Sequence, residues 1–335
     1  MSKIDRIRVP LFCEQKIHVD NAINSKELTH GNYSSLLSQK LLDKSGFKFI
    51  TFTSNGNSAL ITSICALNLN AKRILIPQIS TCYSMLNAIY SCSSVPVFVD
   101  VDENGNIDPN KAKELDFDGI LSPNHFGTKP NFTKLKSFGK PIIEDACQDI
   151  FNLLKGHSYG DIAISSFYPT KILNGIDGGA VFTNNKELIS KVNTLAQYDN
   201  QLKPENSKRF NFRFNNINAA FAYGTLVNMD KIETRYMRLL EIYTNKLTNL
   251  RGMSIVSCKN KNRTKILIRF ENQSIRDNMY LRLIERGIGA SKELVALTDL
   301  EHSSNSLLLM NSTLSLPFYY DLGEYEVEKI IRTLS

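Results

Sequence analysis

Short apolar runs alternate with amphipathic stretches along the first half of the chain. Four runs rich in Val, Ile and Leu are typical of buried strands, at residues 73–77, 95–100, 119–122 and 141–144. Helical patterns lie beside them, at residues 59–69, 84–93, 109–116 and 133–139. This alternation predicts an α/β fold with a mixed, mainly parallel sheet that is covered by helices on both faces.

The pattern changes after about residue 185. Two long helices, a strand and a further helix are predicted there, at residues 186–198, 216–249, 265–270 and 277–286. The chain then closes with an amphipathic helix. We therefore expect a large α/β domain at residues 1–230, including an N-terminal arm, and a smaller α+β domain at residues 231–335.

The composition is that of an ordinary globular chain. Of the 335 residues, 42% are hydrophobic and 22% are charged, which excludes long disorder. No apolar run approaches the roughly 18 residues of a membrane span, and the first twelve residues lack a signal-peptide core. We therefore expect a cytoplasmic protein without a membrane partner.

Two classes of site are not indicated by the sequence. None of the six cysteines forms a C-x-x-C pair and no histidine has ligand spacing, so we expect reduced thiols and no metal site. No G-x-G-x-x-G follows a predicted strand, which counts against a nicotinamide-dependent dehydrogenase.

A polar, glycine-bearing turn precedes the first helical pattern. It contains Gly56, Asn57 and Ser58, and either Asn57 or Ser58 is predicted to be the N-cap. Because the N–H groups at the start of a helix lack partners within it, this turn is a candidate anion site.

Two further segments carry candidate chemistry. Asp145 ends an apolar strand, where α/β sheets place their ligand sites. Lys171 follows Ser166 by five residues and precedes a glycine-rich stretch. A phosphate-binding turn, a carboxylate for a pyridinium nitrogen and a lysine amine for an aldehyde are together what pyridoxal phosphate requires.

At this point the chain resembles the DegT/DnrJ/EryC1/StrS aminotransferases, the sugar-nucleotide aminotransferases of fold type I. The resemblance extends over nearly the whole chain. It is carried by SNGNSAL at 54–60, PVFVDVD at 96–102, IEDACQ at 143–148, SFYPTK at 166–171, GGAVFTNN at 178–185, NFRFNNINAA at 211–220 and LSLP at 314–317.

The resemblance implies roles for individual residues. Lys171 would form the Schiff base with the coenzyme and shuttle the proton, and Asp145 would pair with the pyridinium nitrogen. Gln148 would contact the ring face or its 3-hydroxyl. The phosphate would be held by Ser166 together with the turn residues, Gly56, Asn57 and Ser58.

The resemblance also implies a homodimer with shared active sites. In the family an Asn from the neighbouring subunit completes the phosphate site, and Asn211 occupies that position here, with Arg213 beside it. Two positions remain open. Tyr83 is the nearest aromatic to the place of the ring-stacking residue, although Cys82 is the better alternative by alignment. His125 has either a site-bordering or a structural role.

The activity implied is transfer of an amino group, with glutamate as the usual donor, to a keto-deoxysugar nucleotide in surface-polysaccharide or amino-sugar biosynthesis. One alternative is a sugar-nucleotide dehydratase, but such members carry His where Lys171 stands. A non-catalytic, coenzyme-binding regulatory protein is the other alternative. The family's usual substrate loop is replaced by GIGASKELVALTDLEHSS at residues 287–304, so the nucleotide, the sugar and the aminated carbon stay open.

The net charge of +7 is unevenly distributed. Residues 201–270 hold 14 Lys and Arg against four Asp and Glu, so this segment exceeds the net charge of the whole chain. It includes Lys208, Arg209 and Arg213, next to the expected cross-subunit loop. We expect these residues to bind an anionic nucleotide substrate rather than a nucleic acid.

Overall fold

The computed structural model describes residues 3–198, 208–248, 250–256, 263–300 and 303–335. Within them lie twelve strands and twelve α-helices. The strands are β1 Phe49–Thr53, β2 Arg73–Pro77, β3 Ile79–Ser80, β4 Val95–Val99, β5 Gly119–Pro123, β6 Ile142–Asp145, β7 Ile162–Ser166, β8 Gly179–Thr183, β9 Met253–Ile255, β10 Ile266–Phe270, β11 Val295–Ala296 and β12 Thr313–Leu316.

The helices cover both faces of the main sheet and surround a smaller one. They are α1 Cys13–Asn24, α2 Asn32–Ser45, α3 Gly56–Ala66, α4 Ser84–Ser91, α5 Phe132–Lys136, α6 Ile150–Leu153, α7 Lys186–Ala196, α8 Asn216–Leu226, α9 Met229–Leu247, α10 Gln273–Glu285, α11 Ser304–Ser312 and α12 Glu324–Leu334.

Seven strands form the main sheet in the order β1-β8-β7-β6-β5-β2-β4. Neighbouring strands pair in parallel from β7 through β4, and β8 runs antiparallel to both of its neighbours. The expected mixed, mainly parallel α/β sheet is therefore confirmed. The central strands of such a sheet have continuous apolar sequences, because both faces of the sheet are buried. In β7, Ile162 and Ile164 pack into one hydrophobic core, and Ala163 between them packs into a second core on the other face.

The C-terminal part contains a three-stranded antiparallel sheet in the order β12-β10-β9. Backbone pairings are among the contacts that join the C-terminal part to the rest of the chain. Ile4 of the N-terminal arm forms a parallel bridge with Ile288. Strand β11 pairs with β3, with Val295 opposite Ser80.

Two sequence predictions of local structure are wrong. The helix expected at residues 216–249 is divided into α8 and α9, because the buried Asn228 side chain donates to the Gly224 carbonyl and ends the first helix. Residues 109–116 form turns rather than a helix. Asp108 organises them by accepting the Asn110 N–H on its side chain and the Lys111 N–H on its carbonyl.

The division expected between residues 230 and 231 falls in the first turn of α9 and stays a prediction. In the described part of the chain, no helix combines the length and the apolar character needed to cross a membrane.

Candidate active site

A cavity of about 540 Å³ lies at the carboxyl ends of neighbouring parallel strands. Because β5, β6 and β7 are adjacent and parallel, Asn124, Asp145 and Ser166 reach the same edge of the sheet. All three line the cavity, and Lys171 joins them from the loop after β7. We call this space the Lys171 cavity.

The start of α3 points at the same cavity. Its N-cap is Asn55, whose Oδ1 accepts the Ser58 N–H at 2.9 Å, so the expectation of Asn57 or Ser58 as the cap is wrong. The helix start packs tightly on β7, since a Cβ added to Gly56 would lie 2.9 Å from the Ser166 Cβ. Asn55, Gly56 and Asn57 line the cavity, which leaves free N–H groups of the first turn beside the Ser166 hydroxyl.

Hydrogen bonds from backbone N–H groups fix Asp145 and the loop that carries Lys171. The Cys147 N–H donates to Asp145 Oδ1 at 3.0 Å, and the Asn124 N–H donates to the Asp145 carbonyl. In the loop, the Lys171 backbone N–H donates to the Tyr168 carbonyl at 2.8 Å. The buried side chain of Phe167 anchors the start of this loop. The site therefore presents an amine and a carboxylate on a rigid frame.

Gln148 and His125 are held by hydrogen bonds at the cavity wall. Gln148 Nε2 donates to Thr81 Oγ1 at 2.5 Å, and its Oε1 accepts the Phe126 N–H at 3.0 Å. His125 Nδ1 lies 2.6 Å from the Gly105 carbonyl, which can only accept, so Nδ1 carries the proton. Burial lowers the pKa of His125, so the ring is neutral and its Nε2 accepts from Ser80 at 3.3 Å.

A buried ionic network lies behind Asp145. Lys129 Nζ contacts Glu144 at 2.6 Å and Asp149 at 3.1 Å, and both carboxylates are fully buried. Asn124 Nδ2 donates to both of them. Burial opposes ionisation of Glu144, but Lys129 holds its pKa below the usual range. Burial raises the pKa of Asp149 to about 7, although Lys129 favours its ionised form.

Three of the charged cavity residues that were missed from the sequence form one cluster. Arg6 Nη1 donates to Glu293 Oε2 at 2.8 Å, and Lys265 donates to Glu293 Oε1. All three line the Lys171 cavity. Burial lowers the pKa of Lys265, and the positive charge of Lys171 lowers it as well. The carboxylate of Glu293 acts in the opposite direction and raises this pKa. Two signals were available in the sequence: residues 287–304, which depart from the family's substrate loop, contain Glu293, and the basic segment at residues 201–270 contains Lys265.

Several predicted site residues lie outside the Lys171 cavity. Ser58 is buried behind the helix start, where its hydroxyl contacts Ser54. Tyr83 is 54% exposed beside the cavity residue Cys82. Asn211 is exposed, and its Oδ1 accepts from Arg213 at 3.2 Å.

The basic residues of the same region also lie apart from it. Arg213 stacks on Tyr198 at 4.9 Å and lines a second cavity of about 430 Å³ with His30 and Asn193. Lys208 lies over Phe210, and Arg209 is not a lining residue of the Lys171 cavity. Within the described residues, no group of three His, Cys, Asp or Glu is placed to hold a metal ion.

The donor set of the Lys171 cavity suits a small ligand with a defined charge pattern. The start of α3 and the Ser166 hydroxyl suit an anion, Asp145 suits a protonated nitrogen, and Lys171 can react with a carbonyl. Asn57 Oδ1 is buried without a hydrogen-bond partner in the described part of the chain, so this oxygen can accept a hydrogen bond from a bound group.

Comparison with known proteins gives a consistent result. Residues 13–335 match the model of the DegT/DnrJ/EryC1/StrS aminotransferase family. The chain is 23% identical to a Campylobacter jejuni UDP-4-amino-4,6-dideoxy-N-acetyl-beta-L-altrosamine transaminase and 26% identical to a Shigella dysenteriae dTDP-4-amino-4,6-dideoxy-D-glucose transaminase. Each alignment covers 93% of this chain and 92% of the relative.

Solved structures share the fold. The protein Spr1654 from Streptococcus pneumoniae, in its PLP form, superposes with a TM-score of 0.91 at 15% identity. The superposition covers 99% of this chain and 98% of the other. At this identity the likeness establishes the fold and not the reaction.

Proposed function

Because this chain belongs to the DegT/DnrJ/EryC1/StrS aminotransferase family, we propose that it transfers an amino group to a keto-deoxysugar nucleotide with pyridoxal phosphate in the Lys171 cavity. Glutamate is the proposed donor. The observation that carries the proposal is the meeting of Lys171, Asp145 and the start of α3 around one cavity. The names of the relatives, transaminases of UDP- and dTDP-linked sugars, support the substrate class.

The residues present fit this coenzyme. When bound, pyridoxal phosphate supplies an aldehyde and an electron-withdrawing ring. Asp145 would hold the ring nitrogen in its protonated form. The N–H groups at the start of α3, with Ser166 and Asn57, would hold the phosphate. Gln148, whose amide is oriented by Thr81 and Phe126, would limit the tilt of the ring.

Lys171 is the proposed proton-transfer group in both halves of the reaction. With the coenzyme bound, Nζ would take the proton from the donor's α-carbon. The same Nζ returns a proton to the sugar carbon when the amino group is delivered. The neutral His125 adds no charge of its own at the cavity wall.

We further propose a homodimer in which Asn211 and Arg213 complete the partner's site. Their position outside the protomer's own cavity supports this arrangement. Lys208 and Arg209 would then face the anionic nucleotide. The cytoplasmic location and the role in polysaccharide biosynthesis remain predictions.

A panel of substrates tests this function. The purified protein, loaded with pyridoxal phosphate, is incubated with glutamate and with 3-keto or 4-keto deoxysugar nucleotides carrying UDP, dTDP or GDP. We expect an amino-sugar nucleotide, detected by mass, from at least one of them. Release of water from a sugar instead, with no use of glutamate, would indicate a dehydratase and overturn the proposal.

A further inference from the structure

Arg6, Lys265 and Glu293 form a charged cluster on the wall of the Lys171 cavity. They come from three distant parts of the chain. Glu293 is 8% exposed and both of its carboxylate oxygens are used, one by each cation. The cluster is therefore a built feature of the cavity and not a chance surface pairing.

Backbone structure fixes each member in place. Arg6 lies two residues after Ile4, which forms a backbone bridge with Ile288. The N-terminal arm also passes close to Gly289, where an added Cβ would lie 2.5 Å from the backbone nitrogen of Arg6. Lys265 immediately precedes β10. Glu293 lies two residues before β11, whose pairing with β3 holds the loop at the cavity.

The charge of the cluster is unbalanced. Two cations share one carboxylate, and Lys171 adds a further amine nearby. An ammonium has three donors and a guanidinium five, so both cations can meet a second acceptor while they stay bonded to Glu293. Among the described residues that line the cavity, Arg6 and Lys265 are the cationic side chains besides Lys171.

We propose that Lys265 and Arg6, oriented by Glu293, bind the carboxylate of the amino-acid donor. The inference rests on the proposed transamination. A donor's α-carboxylate is attached to the carbon that Lys171 must reach, so its binding group has to lie beside Lys171, as Lys265 does. The nucleotide diphosphate is separated from the reacting carbon by the sugar and has no such constraint.

Binding of an unreactive dicarboxylate tests the site without turnover. Glutarate is titrated into the coenzyme-loaded protein by calorimetry. Since charge-assisted hydrogen bonds are lost, Lys265→Gln should weaken binding by about tenfold or more, and Lys265→Arg should restore most of it. The matched control is Lys246→Gln, which removes a lysine paired with Glu328 outside the cavity and should bind like wild type. Equal affinity of Lys265→Gln and wild type would overturn the inference.

The first half-reaction separates this inference from the proposed function. The KM for glutamate is compared with that for benzylamine, an amine without a carboxylate. In Lys265→Gln the rise in KM should be about tenfold larger for glutamate than for benzylamine. If wild type does not convert glutamate, the proposed function fails. If wild type converts it and the two KM values rise equally in the variant, only the carboxylate site is wrong.

Discussion

Lys129 is a single ammonium that serves two fully buried carboxylates, Glu144 and Asp149, next to the strand end that carries Asp145. When one partner of a buried ion pair is removed, the remaining charge stays buried without compensation. The loss of folding free energy is therefore larger than the net stabilisation that the intact pair gives. We expect Lys129→Met to lower the free energy of unfolding in urea by about 3–5 kcal/mol. Lys16→Met, which removes an exposed pair with Asp20, should leave the transition unchanged. A Lys129 variant as stable as wild type would contradict this role.

Asp149 should make stability depend on pH. Its pKa is about 7 in the folded protein against an ordinary 3.8, so between these values the folded state holds a proton that the unfolded state releases. This group therefore lowers stability as pH rises through that range. We expect the free energy of unfolding of wild type, relative to Asp149→Asn, to fall between about pH 4 and pH 7. Parallel pH profiles for the two proteins would show that Asp149 does not titrate there.

At the scale of elements, α3 links local sequence to ligand binding. Asn55 caps it within the cavity lining, and Asn272 caps α10 in the same manner, accepting the Ile275 N–H at 3.0 Å. Each Asn→Ala change should cost about 1 kcal/mol of stability. Only Asn55→Ala should also weaken binding of pyridoxal phosphate, measured by titration of the apoprotein. Equal coenzyme affinity in both variants would remove the helix start from the phosphate site.

The elements that were predicted correctly are those with a strong local signal. The runs at residues 73–77 and 119–122 form β2 and β5 because both faces of the sheet are buried. The identity of the α3 cap was not predictable in the same way, since Asn55, Asn57 and Ser58 all have capping side chains within four residues. The choice among them depends on backbone angles, and Asn55 is the extended residue.

The whole molecule brings together residues that no local pattern connects. Lys171 and Asp145 were predicted because short motifs surround each of them. Lys265 and Glu293 lack such motifs, and they meet Arg6 only because β11 pairs with β3 and Ile4 pairs with Ile288. Long-range pairing of this kind is a property of the folded chain and leaves no periodic trace in the sequence.

The proposed dimer is tested by mixing two inactive subunits. Lys171→Ala lacks the reactive amine, and Asn211→Ala lacks the group expected to act in the partner's site. If sites are shared, refolded 1:1 mixtures should recover about a quarter of wild-type activity, since half of the dimers are mixed and each has one intact site. Subunits that stay inactive after mixing, with mixed dimers demonstrated by mass, would contradict the shared arrangement.

The proposed function requires that glutamate gives its amino group to the bound coenzyme, with Lys171 as the amine that is displaced and that carries the proton. The most direct measurement is the amount of 2-oxoglutarate formed when glutamate is added to the loaded protein without any sugar nucleotide. We predict about one equivalent per chain from wild type and none from folded Lys171→Ala. Equal formation by the two proteins, or none from wild type, would contradict the account.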